Sequence, residues 1–267
     1  MIKDYFVIDS HCHIYPEKIA AKAVGATDNF YGVKSYGEGT VENLVKLSKK
    51  SGVDHAIVQS VATTPKQVES INRFIANEVA QSDGFLTGLG TLHPDSSDLE
   101  EDIRLIKELG LKGVKLHPDI QGFKMDTERL FEMYEICERE ELVMLIHTGD
   151  KRYDNSNPDR VEHVLKSFPK LKVIGAHFGG WSVWEEASKK LSKFENFYVD
   201  TSSSFGFAKK NIIKEALFLY STDKVLFASD YPMWSAKKEL KNILSLKLSE
   251  SDLAKILSQN AKDLFGI

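Results

Sequence analysis

Short apolar segments alternate with amphipathic ones along nearly the whole chain. The apolar segments are rich in Val, Ile, Leu and Phe, and the segments between them carry apolar residues at helical spacing. One such helical stripe consists of Val68, Ile71, Phe74, Ile75 and Val79. The pattern predicts eight strand-helix units, with strands at 7–13, 55–60, 85–92, 112–117, 142–147, 171–177, 196–200 and 224–230.

Eight parallel strands covered by helices most simply close into a (β/α)8 barrel, also called a TIM barrel. The alternative is a doubly wound open sheet, which usually needs a glycine-rich nucleotide loop after its first strand. This chain has His11 and His13 at that point. No domain boundary interrupts the pattern, so residues 1–267 are predicted to form a single α/β domain. We expect a long loop at 14–39, which contains a proline, several glycines and aromatic residues and could cover the end of the first strand.

The charge balance narrows the range of partners. The 267 residues carry a formal net charge of −4, so no basic excess is available to neutralise nucleic-acid phosphates. The first residues lack the pattern of a signal peptide, and no apolar run approaches the length of a membrane span. We therefore expect a cytoplasmic protein that acts on a small molecule and has neither nucleic acid nor membrane as a partner.

Histidine placement is the first indication of chemistry. His11 and His13 point to the same face of the first strand, because strand side chains alternate, and two imidazoles so placed can hold one metal ion. The histidines at or just past the ends of predicted strands are His11, His13, His93, His117, His147 and His177. In a (β/α)8 barrel these strand ends converge on the face where active sites are built. For His93, a structural or surface role is at least as good an interpretation as a place in the active site.

Asp230 ends the last predicted strand after a nearly uncharged run. A carboxylate buried without a partner is costly, so Asp230 should meet a cation. The last strand of a closed barrel pairs with the first, which carries His11 and His13. A metal shared by these groups is the simplest explanation, and imidazoles with one carboxylate and an open position are typical of catalytic metal sites.

Taken together, these motifs resemble the amidohydrolase superfamily, and more closely its branch of hydrolases and decarboxylases related to aminocarboxymuconate semialdehyde decarboxylase. The resemblance spans the whole chain. It is carried by the motifs Asp-Ser-His-Cys-His at 9–13, Leu-Ile-His-Thr-Gly at 145–149, Gly-Ala-His-Phe-Gly-Gly at 175–180 and Ser-Asp-Tyr-Pro at 229–232. The stretches 113–118 and 260–266 fit the same branch.

The resemblance implies a ligand set and a mechanism. His11, His13, His147 and Asp230 would ligate one divalent metal, with Zn²⁺ as the default and Mn²⁺, Fe²⁺ or Co²⁺ also compatible with these ligands. His177 would stand beside the metal-bound water as a general base or an electrophilic aid. Asp230 would also carry a proton to the leaving group.

The fourth strand departs from related enzymes that carry a glutamate there. Lys115 and His117 lie on one face of this strand by alternation. Lys115 could become carboxylated and bridge a second metal, but we favour a mononuclear site in which His117 contacts the substrate. Asp9, one step deeper than His11, suits a residue that orients an imidazole.

Loops after the fifth and sixth strands should supply further contacts to the substrate. Trp181 and Arg152 lie in these loops. Arg152 could clamp a substrate carboxylate through two hydrogen bonds, or it could be a solvated loop charge.

Two reactions are compatible with this set of residues. The leading prediction is a metal-dependent hydrolase in which the metal-bound water attacks a small amide, ester or lactone. The alternative is a lyase, either a nonoxidative decarboxylase or a hydratase, that acts on an unsaturated or aromatic carboxylic acid. The absence of an arginine from 14–39 favours hydrolysis, because related decarboxylases often hold their acid with one near the first loop. A noncatalytic binding or structural barrel is the third hypothesis.

For the oligomeric state, the resemblance implies a homodimer, because members of the family tend to dimerise.

Overall fold

The computed structural model describes residues 5–267, which form parallel strands wrapped by helices. The strands are β1 (Ile8–His13), β2 (His55–Gln59), β3 (Leu86–Gly88), β4 (Gly90–Thr91), β5 (Gly113–Leu116), β6 (Val143–Ile146), β7 (Val173–Gly175), β8 (Phe197–Asp200) and β9 (Val225–Leu226). The helices are α1 (Glu17–Tyr31), α2 (Val41–Ser51), α3 (Val68–Ala80), α4 (Leu99–Glu108), α5 (Pro118–Gln121), α6 (Phe131–Arg139), α7 (Pro158–Ser167), α8 (Trp184–Leu191), α9 (Lys210–Tyr220), α10 (Ala236–Leu244), α11 (Glu250–Ala254) and α12 (Asn260–Phe265).

The strands pair in chain order and close on themselves. β1 to β3 form one parallel run and β4 to β9 another. Leu89 alone separates β3 from β4, and its N–H donates to Val58 O at 2.9 Å, so the two short strands are parts of one barrel strand. The barrel closes where Ser10 N donates to Phe227 O at 2.9 Å and Cys12 pairs with Tyr231. The predicted (β/α)8 barrel is confirmed.

The apolar stripes of the helices cover the outside of the barrel. In α4 the stripe is Leu99, Ile103 and Ile106, all buried. Asp98 caps this helix, since its side chain accepts from Glu101 N at 2.9 Å, and Gly110 follows it with a left-handed φ of 72°. A second apolar cluster, which includes Ile57, Leu89, Leu145 and Ile174, lies on the other face of the strands and fills the barrel.

The segment predicted as a long loop is mostly helical. Within 14–39, α1 occupies Glu17–Tyr31 and ends at Gly32, which has a left-handed φ of 66°. Only Ala20 of α1 is buried, so the helix lacks the apolar stripe by which a surface helix is recognised. The expected position over the barrel mouth is nevertheless observed, because Tyr31 reaches the histidines at the strand ends.

Two local features were not predicted. β1 contains a bulge between Asp9 and Cys12, where its register against β2 shifts. The short helix α5 begins directly after His117, whose ring Nδ1 accepts from Ile120 N at 3.3 Å. Among residues 5–267, no helix combines the length and the apolar composition needed to cross a bilayer.

Candidate active site

His11, His13 and Asp230 come together where the first and last strands of the barrel meet. His11 Nε2 lies 3.0 Å from His13 Nε2 and 3.4 Å from Asp230 Oδ1, and His13 Nε2 lies 3.6 Å from the same oxygen. Burial lowers the pKa of both imidazoles well below the usual value, so both rings are neutral. Two neutral nitrogens and a carboxylate oxygen that face one point suit a divalent cation.

Asp200, at the end of β8, orients the first of these imidazoles. His11 Nδ1 lies 2.8 Å from Asp200 Oδ2, and because a carboxylate can only accept, Nδ1 carries the proton and leaves Nε2 free to bind a metal. Asp200 Oδ1 accepts from the backbone N–H of His177 at 3.0 Å. A carboxylate at the end of an apolar strand is the signal that also identified Asp230, and it could have identified Asp200.

Asp9 does not have the predicted role of orienting an imidazole ring. Its Oδ1 accepts from Ser229 N at 2.8 Å and its Oδ2 from the Ser229 hydroxyl, while its contact with His11 is a long one to the backbone N–H. The bulge in β1 interrupts the alternation on which the prediction rested. Burial raises the pKa of Asp9 to about 6, and this carboxyl instead joins the first and last strands.

His147 and His177 form a second pair beside the first. His147 Nδ1 lies 3.1 Å from His177 Nε2, and His177 Nδ1 faces the Ser202 hydroxyl at 2.8 Å. Burial lowers the pKa of His177 to about 3, so this imidazole is uncharged at neutral pH. The structure thus brings three of the four predicted ligands into one tight group and places His147 next to His177, outside that group.

The two residues of the fourth barrel strand differ in their surroundings. Lys115 is buried, and its Nζ lies 3.0 Å from His11 Nε2. The negative charges of Asp230 and Asp200 favour its charged form. Burial lowers the pKa of Lys115. His117 stacks on His147 with the ring centroids 4.1 Å apart, and its Nε2 lies 2.7 Å from the Tyr31 hydroxyl.

Arg152 pairs with a carboxylate of the protein, whereas the predicted carboxylate clamp needs a free guanidinium. Its Nε and Nη2 donate to Asp150 at 3.0 and 2.7 Å, and its Nη1 donates to Phe30 O at 3.0 Å. Because the Asp150 side chain is fully buried, this ion pair anchors the loop and ties it to the end of α1. The guanidinium is therefore engaged by the protein, which departs from the prediction.

A cleft opens above these groups. Its lining residues are Tyr31, Val33, His147, His177, Trp181, Ser203, Phe207, Asp230, Met233 and Trp234. Trp181 lines the cleft, as predicted for a substrate contact, whereas Tyr31, Phe207 and Trp234 were missed. Ser203 donates to Asp230 Oδ2 at 2.6 Å and accepts from Trp234 Nε1 at 2.8 Å, which leaves Oδ1 toward the imidazoles.

Comparison with known proteins identifies the family. Residues 8–267 match the amidohydrolase family model, and the chain belongs to this family of barrel enzymes. It is 23% identical to a gamma-resorcylate decarboxylase of Polaromonas sp., over 84% of this chain and 86% of that protein. It is 33% identical to a 2-amino-3-carboxymuconate-6-semialdehyde decarboxylase of Dictyostelium discoideum, over 41% of this chain and 37% of that protein.

Solved structures agree on the fold. A 5-carboxyvanillate decarboxylase from Sphingomonas paucimobilis superposes with a TM-score of 0.77 at 18% identity, covering 98% of this chain and 99% of that one. A dihydroxybenzoic acid decarboxylase from Polaromonas sp., with bound manganese and the inhibitor 2-nitroresorcinol, has a TM-score of 0.76 at 18% identity and covers 98% and 97%. At these identities the likeness shows the barrel.

Proposed function

We propose that this protein is a metal-dependent, nonoxidative decarboxylase of small aromatic carboxylic acids. The observation that carries the proposal is a cleft walled by aromatic rings that ends at Asp230, the carboxylate beside His11 and His13. The similarity to two decarboxylases in sequence supports it. The leading prediction from the sequence, a hydrolase, has support only at the level of the superfamily. Decarboxylation, which was part of the alternative prediction, is therefore the reaction that we propose.

The donor atoms fit a divalent cation at the floor of the cleft. His11, His13 and Asp230 would hold it, with His147 as the fourth predicted ligand. When bound, the cation would supply Lewis-acid polarisation of a substrate oxygen. Imidazole and carboxylate ligands accept both Zn²⁺ and Mn²⁺. Manganese is bound in a structurally similar decarboxylase, so both metals belong in the test.

Asp230 is the proposed proton donor. Its carboxyl lines the cleft, where it can deliver a proton to a bound acid, and burial by itself raises the pKa of this carboxyl above the usual range. Delivery of this proton to the ring carbon that bears the carboxylate lets the carbon–carbon bond break. The bonding electrons return to the ring and CO₂ leaves, so the acid is converted into the corresponding arene and CO₂.

The other residues of the cleft position the ring. Trp181 and Trp234 offer flat apolar surfaces that exclude water and hold an aromatic substrate. His177 is an uncharged imidazole, and its Nδ1 is held by Ser202. Its Nε2 lies 3.1 Å from His147 Nδ1, so this ring adds a polar edge but no charge to the lining of the cleft.

The test is CO₂ release by the purified protein supplied with Mn²⁺ or Zn²⁺. Hydroxybenzoates are the first substrates, assayed beside a small lactone and an anilide. We expect CO₂ and the phenol in equal amounts, and loss of this activity after chelation and in Asp230→Asn. Hydrolysis of the lactone or anilide without CO₂ release from any acid would restore the hydrolase prediction.

A further inference from the structure

The cleft is bounded by a continuous aromatic wall, which we define as Tyr31, Trp181, Phe207 and Trp234. The ring centroids are 5.7 Å apart from Tyr31 to Trp181, 5.7 Å from Trp181 to Phe207 and 5.6 Å from Phe207 to Trp234. Among residues 5–267, those that line the cleft include no lysine or arginine. Above the cluster that contains Asp230, the wall therefore offers rings but no cationic side chain.

Two cations lie close to the cleft, and each interacts with other groups of the protein. The buried Lys115 has its Nζ 3.0 Å from His11 Nε2, and the negative charges of Asp230 and Asp200 act on it. Arg152 lies over the rings of Tyr31 and Trp181, 5.3 and 5.7 Å from their centroids, and forms a forked pair with Asp150. A substrate could recruit Arg152 only by leaving the buried Asp150 unpaired, which is strongly unfavourable.

A substrate carboxylate at the floor of the cleft can be neutralised by the divalent cation proposed there. A carboxylate at the aromatic wall has no such partner among the described residues. A carboxylate buried among aromatic rings loses its hydration and meets the negative faces of the rings. From this distribution of charge we infer that the enzyme selects aromatic acids with a single carboxylate and rejects ring dicarboxylates. The aromatic wall is then the element that determines specificity. This inference takes the aromatic acid as ligand from the proposed function.

Three ligands of graded charge test it. They are 2-hydroxybenzoate, the same acid with a second carboxylate at ring position 5, and the same acid with an uncharged carboxamide at that position. The carboxamide matches the second carboxylate in size, so it separates charge from bulk. Two of the three tryptophans of the chain, Trp181 and Trp234, line the cleft, and quenching of their fluorescence reports binding by the Mn²⁺-supplied protein.

We expect the monocarboxylate and the carboxamide to bind with dissociation constants within about threefold of each other, and the dicarboxylate to bind about tenfold or more weakly. Phe207→Arg places a cation on the wall. It should reduce the ratio of the dicarboxylate's dissociation constant to the monocarboxylate's by about tenfold. The matched control is Phe218→Arg on α9, outside the cleft lining, which should leave the difference unchanged. Both phenylalanines are exposed, by 45% and 84%, so both sites accommodate an arginine.

Each outcome decides the inference. Equal or tighter binding of the dicarboxylate by the unaltered protein would overturn it, as would equal rejection of the carboxamide, which would assign selectivity to size. Failure of all three ligands to bind would also overturn it. CO₂ release is measured in parallel: the expected order of binding without CO₂ release would defeat the proposed reaction and leave the inference standing.

Discussion

The two halves of the active site differ in how firmly their imidazoles are held. In the half built by the first and last strands, His11 Nδ1 is fixed by Asp200 at 2.8 Å and Asp230 Oδ2 is held by Ser203 at 2.6 Å. In the half built by β6, His147 Nε2 faces the buried carboxylate of Asp119 only at 3.6 Å. Neither Asp119 oxygen accepts a hydrogen bond from the described residues.

The first half is therefore preorganised, whereas the imidazole of the second half is adjustable. A ligand whose second ring nitrogen is hydrogen-bonded keeps its tautomer and its direction, which favours metal binding. His147 is instead paired with another imidazole, His177, at 3.1 Å, and this bond does not fix the tautomer because either ring can donate. Metal affinity should therefore depend on the first half far more than on the second.

The largest effect is expected from removing the two imidazoles of the first half. His11→Ala combined with His13→Ala should abolish stoichiometric metal binding, and the loss should exceed the roughly 10- to 100-fold that removal of an outer hydrogen-bond partner costs. Elemental analysis of the purified variant measures it. His163→Ala, at a side chain that is 55% exposed, is the control. Unchanged metal content in the double variant would place the metal elsewhere.

A matched pair of aspartates tests the comparison itself. Asp200→Asn should weaken metal binding roughly 10- to 100-fold, because the carboxylate that fixes His11 Nδ1 is replaced by a neutral amide. Asp119→Asn should weaken it less than about threefold, since the 3.6 Å separation from His147 is too long for a hydrogen bond. Competitive titration with a metal-binding dye gives both values. Equal losses would mean that the two halves are equally organised.

Tyr31, the last residue of α1, contacts His117 in the second half of the site. Tyr31→Phe removes the hydroxyl and keeps the ring in the aromatic wall. The lost hydrogen bond should raise KM about three- to tenfold, with a smaller change in kcat, because α1 then closes less firmly over the substrate. Steady-state kinetics separate the two constants. A fall in kcat alone would instead give the hydroxyl a part in the reaction.

The smallest effect concerns a buried carboxyl in α10 that does not line the cleft. Glu239 in α10 faces Asn242, Lys238 and Asp9, and burial raises its pKa to about 7. The folded state then holds a proton that the unfolded state releases above about pH 4.5, so stability falls as pH rises from about 4.5 to about 7. Glu239→Gln should remove up to about 3 kcal/mol of this fall. Urea unfolding at both ends of the range measures it, and an unchanged pH dependence would contradict it.

Much of the barrel and part of the site could be predicted from local patterns. The strand segments were recognisable because buried parallel strands are continuous apolar runs, and alternation along β1 placed His11 and His13 on one face. The helix α1 was missed because it buries only Ala20 and shows no apolar stripe. From the sequence alone, the absence of an arginine near the first loop favours hydrolysis. Beside a cleft lined, within residues 5–267, by no lysine or arginine, the same absence instead supports a preference for substrates with a single carboxylate.

Periodicity and closure of a barrel are enough to predict the strand order, the strand ends that carry the histidines and the position of Asp230 beside the first strand. The carboxylate that orients His11 became visible only in the folded chain, since Asp200 lies 189 residues away in the sequence. The tertiary structure also decided that Arg152 serves Asp150 and that Phe207 and Trp234 join Trp181 in one wall. Such contacts depend on loop conformations and on a bulge in β1, and neither has a periodic signature in the sequence.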